Sequence, residues 1–309
     1  MAEARLLMIL TENHTLVDAD DLGGLVDLAV VAEEAGFDAV MLSEHLALGP
    51  SANALGEPAN PRAYAAPGNQ NPSTPWPSSI VLASAIAAAT ERVRIVLSAI
   101  IAPLRHPVAL AKELATLDRL SGGRLVVQPT VSWHRDEYEA LGVPFDRRGR
   151  ILDEQLQALK ELWGPSPASF DGEFFTFADV YSEPKPLRNG RPAMWFGGQS
   201  MHDALVRRLV EFGDGFHPFG SPSADDLDTL AAAMSAAGRD IADLEKIGGT
   251  RATFLGADDV ADIHESMTTF GDQLREGYST FCMKPSQHTD DVTEVPALCR
   301  EMVRTVRSL

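Results

Sequence analysis

A (β/α)8 barrel is the fold class this chain predicts, and three observations point to it. Short, nearly continuous apolar stretches alternate with amphipathic stretches of helix length from one end to the other. Strands of that kind are buried on both faces, which suits a parallel sheet. Eight strand-then-helix units follow one another, and 309 residues are enough to close them into a barrel with insertions to spare. An open doubly wound sheet of the same units is the structural alternative. The chain reads as a single barrel domain over residues 1–309.

The units run in order. Leu6 to Leu10 is the first strand, and a helix follows from Asp21 with Leu22, Leu25, Val26, Ala29 and Ala32 on one face and Gly36 at its C-cap. Phe37 to Leu42 is the second strand and Val93 to Ile100 the third. Pro107 opens a helix with Val108, Ala111, Leu114 and Ala115 inward, stopped by Gly122-Gly123 before the fourth strand, Leu125 to Gln128. A helix carrying Ile151, Gln155, Leu159 and Trp163 precedes the fifth strand, Ala193 to Phe196. Then come a helix at 202–212, a strand at Gly213–Phe216, a helix at 225–237 and a strand at Thr250–Leu255. A helix at 258–270, a strand at Tyr278–Met283 and a last helix with Val295, Leu298, Met302 and Val306 complete the series.

Two segments break this rhythm. Residues 47–79 are rich in Pro, Ala, Asn and Gly and read as a lid over the barrel mouth, with Tyr64 and Trp76 to pack it down. Residues 165–190, holding Phe170, Phe174, Phe175 and Phe177, read as a small hairpin or part of a subunit contact.

Composition excludes several function classes. The formal charge of −18 repels phosphate polymers and anionic surfaces, so neither nucleic acid nor membrane is an expected partner. The N-terminal apolar run is too short for a signal peptide or a membrane span, and the expected location is cytoplasmic. Cys282 and Cys299, the only cysteines, form no C-x-x-C pair and read as free buried thiols. His134-x-x-Glu137 lacks the second histidine of a zinc-protease helix, so no metal is expected. A P-loop and G-x-G-x-x-G are both missing from the sequence.

Chemistry in such a barrel gathers at the carboxyl ends of the strands. Those ends carry Glu12-Asn13-His14, Ser43-Glu44-His45, Ser98, Thr130-Val131-Ser132-Trp133, Gly197-Gly198-Gln199-Ser200, His217-Pro218 and Lys284-Pro285. Glu44-His45 is the best pair for proton transfer, because a histidine beside carboxylates can give or take a proton near neutrality. The double glycine before a helix lets backbone approach a ligand and offers free N–H groups to an anion, with the Ser200 hydroxyl beside them. The same residues form all but the last position of a G-x-S-x-G nucleophile elbow, a weaker reading because the second glycine is missing.

Leu104-Arg105-His106-Pro107-Val108-Ala109-Leu110-Ala111-Lys112 and Leu117-Asp118-Arg119-Leu120-Ser121-Gly122-Gly123-Arg124-Leu125 resemble the signature run of the bacterial luciferase-like flavin and deazaflavin oxidoreductases. Trp133 to Tyr138, Arg147-Arg148-Gly149, Trp195 to Ser200, Gly213 to Pro218 and Leu255 to Val260 continue the likeness in the family's order, over nearly all the chain outside 47–79. The resemblance implies a barrel enzyme that binds a reduced flavin or the deazaflavin coenzyme F420 at the strand ends. It implies Glu44 beside the reactive ring and His45 as the catalytic proton donor or acceptor. Ser98 and Ala99 fall where the family often has a strained peptide supporting the ring. Thr130 falls beside the cofactor, and Gly197, Gly198, Gln199 and Ser200 fall at its phosphate or side-chain site. Trp76, Trp133 and His217 are the expected substrate contacts, and the family habit is a homodimer.

One departure stands out. Where the family commonly ends the fourth strand in a glycine-rich run, this chain has Gln128-Pro129-Thr130-Val131-Ser132-Trp133, so larger side chains narrow the space or Thr130 and Ser132 hydroxyls replace backbone contacts. The Ala-rich, acidic composition and the Leu-Ser-Gly-Gly-Arg style resemble the deazaflavin-dependent members more than the bacterial luciferases, and the resemblance makes hydride transfer to or from a small organic substrate the leading expectation. The alternatives are an FMN-dependent monooxygenase using dioxygen, and a cofactor-free or non-catalytic ligand-binding relative.

Overall fold

A computed structural model describes residues 4–187 and 190–309. Its strands are β1 (Arg5–Ile9), β2 (Ala39–Leu42), β3 (Arg94–Ile101), β4 (Leu125–Thr130), β5 (Ala168–Asp171), β6 (Thr176–Val180), β7 (Ala193–Phe196), β8 (Gly215–Phe216), β9 (Glu245–Gly249) and β10 (Thr280–Met283). Eight of them close in the order β1-β10-β9-β8-β7-β4-β3-β2, all neighbours parallel, and β5 and β6 form a separate antiparallel hairpin. The closed barrel is the expected fold, and the hairpin is the expected insertion.

The helices are α1 (Leu22–Ala35), α2 (Ser79–Ala89), α3 (Pro107–Leu120), α4 (Arg135–Ala140), α5 (Arg148–Trp163), α6 (Asp203–Phe212), α7 (Ala224–Ala236), α8 (Ile263–Ser266), α9 (Phe270–Arg275) and α10 (Val295–Arg307). Their boundaries follow local chemistry. Asp21 caps α1 by accepting from the Gly24 amide, and Gly36 ends it at φ 96°, a left-handed cap that a side chain would strain. Pro107 opens α3, and Ser223 caps α7 in a reciprocal box with Asp226.

Two expected elements differ. The strand expected at Thr250–Leu255 is the loop after β9, with Leu255 almost fully exposed, and the strand itself lies at 245–249. Glu245 and Lys246 disguise it, because Glu245 is held at the amino end of the barrel by both Arg94 guanidinium nitrogens at 2.7 Å. The helix expected at 258–270 is two short pieces, α8 and α9, each with its own acceptor or turn at the start: Asp262 caps α8 and Thr269 precedes α9.

The barrel interior is filled by Leu7, Ile9, Ala39, Met41, Val96, Val126, Trp195, Ile247 and Cys282. A larger shell of strand and helix side chains packs between the sheet and the helix ring. Layered side chains make such a lumen a core rather than a pore, which confines ligand binding to the rim. Cys282 and Cys299 are buried free thiols, as expected. Among the described residues no helix is long and apolar enough to cross a membrane, and no cluster of metal-ligating side chains occurs.

Arg124 ties three successive units together. Its guanidinium donates to the Ala87, Thr90 and Val93 carbonyls and to the Thr90 hydroxyl, and its Nε donates to the Ser121 carbonyl. Those oxygens end α2, enter β3 and end α3. Arg124→Ala leaves several of them without a partner, at roughly 1–3 kcal/mol for each buried group so stranded. Urea unfolding should show a loss of about 3 kcal/mol; a loss under about 0.5 kcal/mol would mean that Arg124 does not bind these units together.

Candidate active site

Because every barrel strand is parallel, the ends of β2, β3, β4, β7, β8 and β10 meet at one rim. His45, three residues past β2, and Ser200, four past β7, therefore belong to the same face of the molecule. The rim has a floor, a histidine–carboxylate wall and a strap.

The floor is a polar bridge across the lumen. Ser98 in β3 donates through Oγ to Gln128 Oε1 of β4 at 2.9 Å, and His217, just past β8, meets the same oxygen through Nδ1 at 3.0 Å. Gln128 and Ser98 are buried, and the His217 ring stands edge-on to Trp195 and Phe219. The Ser98–Ala99 peptide bond is cis, at the position where the family resemblance places an unusual peptide. Burial lowers the His217 pKa to about 4. Gln128 was singled out in the sequence only as a departure from a glycine-rich pattern. Its visible signal is one carboxamide inside an otherwise apolar strand.

The wall is built on Glu137, which is fully buried on α4. Its carboxylate accepts from His45 Nδ1 at 3.3 Å, the Ser132 hydroxyl at 2.8 Å and the Leu46 amide at 3.2 Å. The His45 ring is edge-on to Trp76 at 5.2 Å between centroids and to Trp133 at 5.7 Å. His45 Nε2 has no partner among the described residues. Sequence reading paired His45 with the adjacent Glu44, but the structure gives it a different carboxylate, 92 residues away in the chain. The signal lies in His134-x-x-Glu137, inside the Trp133–Tyr138 run of the family likeness, but its spacing reads as an incomplete metal motif rather than as a partner for His45.

Glu44 spends both oxygens on protein donors. It accepts from the Ile101 amide at 2.8 Å, the Ser79 hydroxyl at 2.6 Å and both terminal nitrogens of Arg105 at 2.7 and 2.9 Å. It therefore joins the ends of β2 and β3 to the start of α2 and supports the rim from behind. The Ser132 hydroxyl, expected to replace a backbone contact to the cofactor, is turned onto Glu137, while Thr130 is half-buried at the end of β4.

The Gly197-Gly198-Gln199-Ser200 turn needs its two glycines for different reasons. A Cβ on Gly197 would lie 1.7 Å from the His217 carbonyl oxygen, so this glycine is required by the crossing of the β7 and β8 ends rather than by a ligand. Around Gly198 nothing approaches closer than 3.8 Å, and Gln199 and Ser200 are exposed. The helix begins slightly later than an anion site would favour: His202 caps α6 by accepting from the Leu205 amide, and acidic Asp203 occupies its first turn.

Residues 47–79 form a strap tied down on several sides. Gly49 donates to His134 Nε2 at 2.8 Å and Ser51 to Asp136 at 3.1 Å. The Asn60 carboxamide donates to the Gly256 and Asp259 carbonyls, and Arg62 pairs with Asp290. Lys284 at the end of β10, almost wholly buried, donates to the Ala63 carbonyl with Glu12 at 3.9 Å, and desolvation lowers its pKa. The strap thus spans the rim from α4 to the loops beyond β9 and β10 and delivers Trp76 onto His45. Beside it lies a small pocket of about 20 Å³, bounded by Thr11, Glu12, His14, Pro75 and Trp76.

These residues fit a planar ring with a polar edge and an anionic arm. His217 bonds the floor through Nδ1 and leaves Nε2 unspent, Trp76 Nε1 and His134 Nδ1 are buried without partners, and Gln199 and Ser200 in the turn are exposed.

A family model described as luciferase-like monooxygenase matches residues 5–289. The chain belongs to that family. It is 36% identical over 125 residues to an FMNH(2)-dependent dimethylsulfone monooxygenase of Pseudomonas putida, covering 40% of this chain and 34% of the relative. To the pyrimidine monooxygenase RutA of Escherichia coli it is 37% identical over 113 residues, covering 35% of this chain and 34% of the relative. The aligned stretches thus span about a third of the length of these curated relatives. In fold it resembles an F420-dependent secondary alcohol dehydrogenase solved with an F420-acetone adduct, with a TM-score of 0.73, 16% identity and 99% of each chain covered.

His217 gives the site a pH signature in stability. Free histidine has a pKa near 6.5, and the folded value is about 4, so the unfolded chain binds more protons between these limits. The stability contributed by the neutral ring is complete above pH 6.5 and is lost as the pH falls toward 4. Urea unfolding of the native protein should weaken more steeply over pH 6.5 to 4 than that of a His217→Gln variant. Parallel pH profiles would mean that the ring is not held neutral.

Proposed function

We propose that this chain is an oxidoreductase that seats a reduced flavin, FMN, on the Ser98–Gln128–His217 floor and uses dioxygen to oxidise a small organic substrate under the strap. The observation that carries the reading is the His45–Glu137 pair, walled by Trp76 and Trp133 on the same rim as that floor. Relatives named for reduced FMN support flavin over the deazaflavin expected from composition.

When bound, the reduced flavin supplies the electron pair and activates oxygen; the protein supplies orientation and electrostatics. Ser98 and Ala99 would underlie the ring, and Gly198, Gln199 and Ser200 would hold the anionic arm. Glu137, out of water, accepts the Nδ1 hydrogen of His45 and fixes the ring orientation. Nε2 is then the atom that takes or returns a proton, within an aromatic enclosure that limits access of water. Glu44 and Arg105 keep the β2 and β3 ends in register, and the strap spans the rim from α4 to the loops beyond β9 and β10.

A second reading, hydride transfer with F420, retains support from the whole-chain likeness in fold to an F420-dependent enzyme and from the same floor and wall, which do not depend on the ring atom that meets oxygen. Purified protein supplied with reduced FMN should consume oxygen in a substrate-dependent manner. Reduced F420 that is oxidised by substrate without oxygen uptake would favour the second reading, and activity with neither would refute both. His45→Asn should lower kcat by about a hundredfold or more while leaving the flavin Kd within about threefold. Equal loss in both would make His45 a binding residue.

A further inference from the structure

The hydrogen-bond pattern of the floor fixes the chemistry that His217 can offer. A carboxamide oxygen only accepts, and Gln128 Oε1 already accepts from the Ser98 hydroxyl at 2.9 Å. The contact from His217 Nδ1 to that oxygen at 3.0 Å therefore requires the hydrogen on Nδ1. The second contact of that nitrogen, to Ser98 Oγ at 3.4 Å, is longer and consistent with the same hydrogen lying between them. Nε2 is then a bare lone pair, with no partner among the described residues.

Position adds to this. Ser98 lies on β3, Gln128 on β4 and His217 past β8, so the imidazole reaches over the lumen to strands that are not its neighbours in the barrel. The ring is clamped between Trp195, at 6.3 Å between centroids, and Phe219, at 5.1 Å. Phe219 is half exposed, and its amide is bound to the Gly198 carbonyl at 3.1 Å, which joins the floor to the turn assigned to the anionic arm. Burial also disfavours the imidazolium, so the lone pair persists at working pH.

We propose that His217 is a specificity-determining hydrogen-bond acceptor, locked in its Nδ1–H form by Gln128, and that it selects ligands presenting a neutral N–H or O–H donor to the mouth. An anionic group placed against Nε2 would meet a lone pair and be rejected, as would a group of the same shape without a donor hydrogen. This proposal rests on the preceding reading only in seating a ligand on the floor. The donor has two sources, the pyrimidine edge of a flavin ring and the substrate itself, and both offer the same chemistry.

Nitrogen-15 NMR of histidine-labelled full-length protein tests the proposal without turnover. At pH 7 the His217 resonances, assigned by their loss in His217→Phe, should show a protonated Nδ1 and an unprotonated Nε2. The reverse tautomer, or an imidazolium, overturns the proposal. Titration with 2-pyrrolidinone, which has one N–H, should shift the Nε2 resonance, whereas N-methyl-2-pyrrolidinone and propionate should not. A shift with FMN alone assigns the donor to the ring; a shift with the lactam but not FMN assigns it to the substrate. Absence of a shift with both, or equal shifts with the two lactams, overturns the proposal. Gln128→Glu keeps an acceptor opposite Nδ1 and should keep the hydrogen on Nδ1, its carboxylate also favouring the imidazolium, while Gln128→Leu should allow both tautomers and reduce the preference between the lactams. If Gln128→Leu does not fold, the native protein and Gln128→Glu still decide the matter. Failure of the flavin reading alone would leave the tautomer and the lactam preference intact.

Discussion

A carboxylate withdrawn from water must be met by donors, and the rim of this barrel is organised by two that are. Glu44 gathers the Ile101 amide, the Ser79 hydroxyl and the Arg105 guanidinium, and Glu137 gathers Ser132, Leu46 and His45. The desolvation cost of each charge is offset only while all these donors stay in place, so each carboxylate fixes several chain segments at once. One sets the frame and the other sets the orientation of His45. The adjacent residues Glu44 and His45 thus serve different networks, and the backbone turn after β2 is what separates them.

The floor obeys a related constraint. A polar bridge inside a barrel is tolerable only if its members satisfy one another, and Gln128 does this with a single oxygen shared by Ser98 and His217. What remains unspent, His217 Nε2, faces no competing partner among the described residues and becomes the chemically available atom. Bulky residues at the end of β4 were expected to crowd the cofactor or substitute hydroxyls for backbone contacts. Instead, Gln128 builds the floor, Ser132 turns to Glu137, and the Val131 carbonyl accepts from the Tyr138 hydroxyl at 2.6 Å.

Much of the barrel was legible because parallel strands buried on both faces read as apolar runs, and because Gly36, Pro107 and the Gly122-Gly123 pair punctuate them. β9 was misplaced because its buried face carries Glu245, whose partners Arg94 and Thr280 come from distant strands. The floor and wall were only half visible for the same reason. His45 and His217 stand at strand ends, where sequence order places them, but their partners Glu137 and Gln128 are reached through tertiary contacts 92 and 89 residues away. The strap's attachments, such as Asn60 to Gly256 and Arg62 to Asp290, are likewise invisible to periodicity.

The central claim is that one seat, above Ser98–Gln128–His217 and against His45, receives the redox ring. A crystal structure of the protein with FMN tests it most directly. The account predicts the ring over the Ser98–Ala99 peptide, with His45 and Trp133 at its edge and the phosphate beside Gly198 to Ser200. Flavin density in the cleft between α5 and α6 near Lys160 and Arg191, with the rim left open, would contradict it.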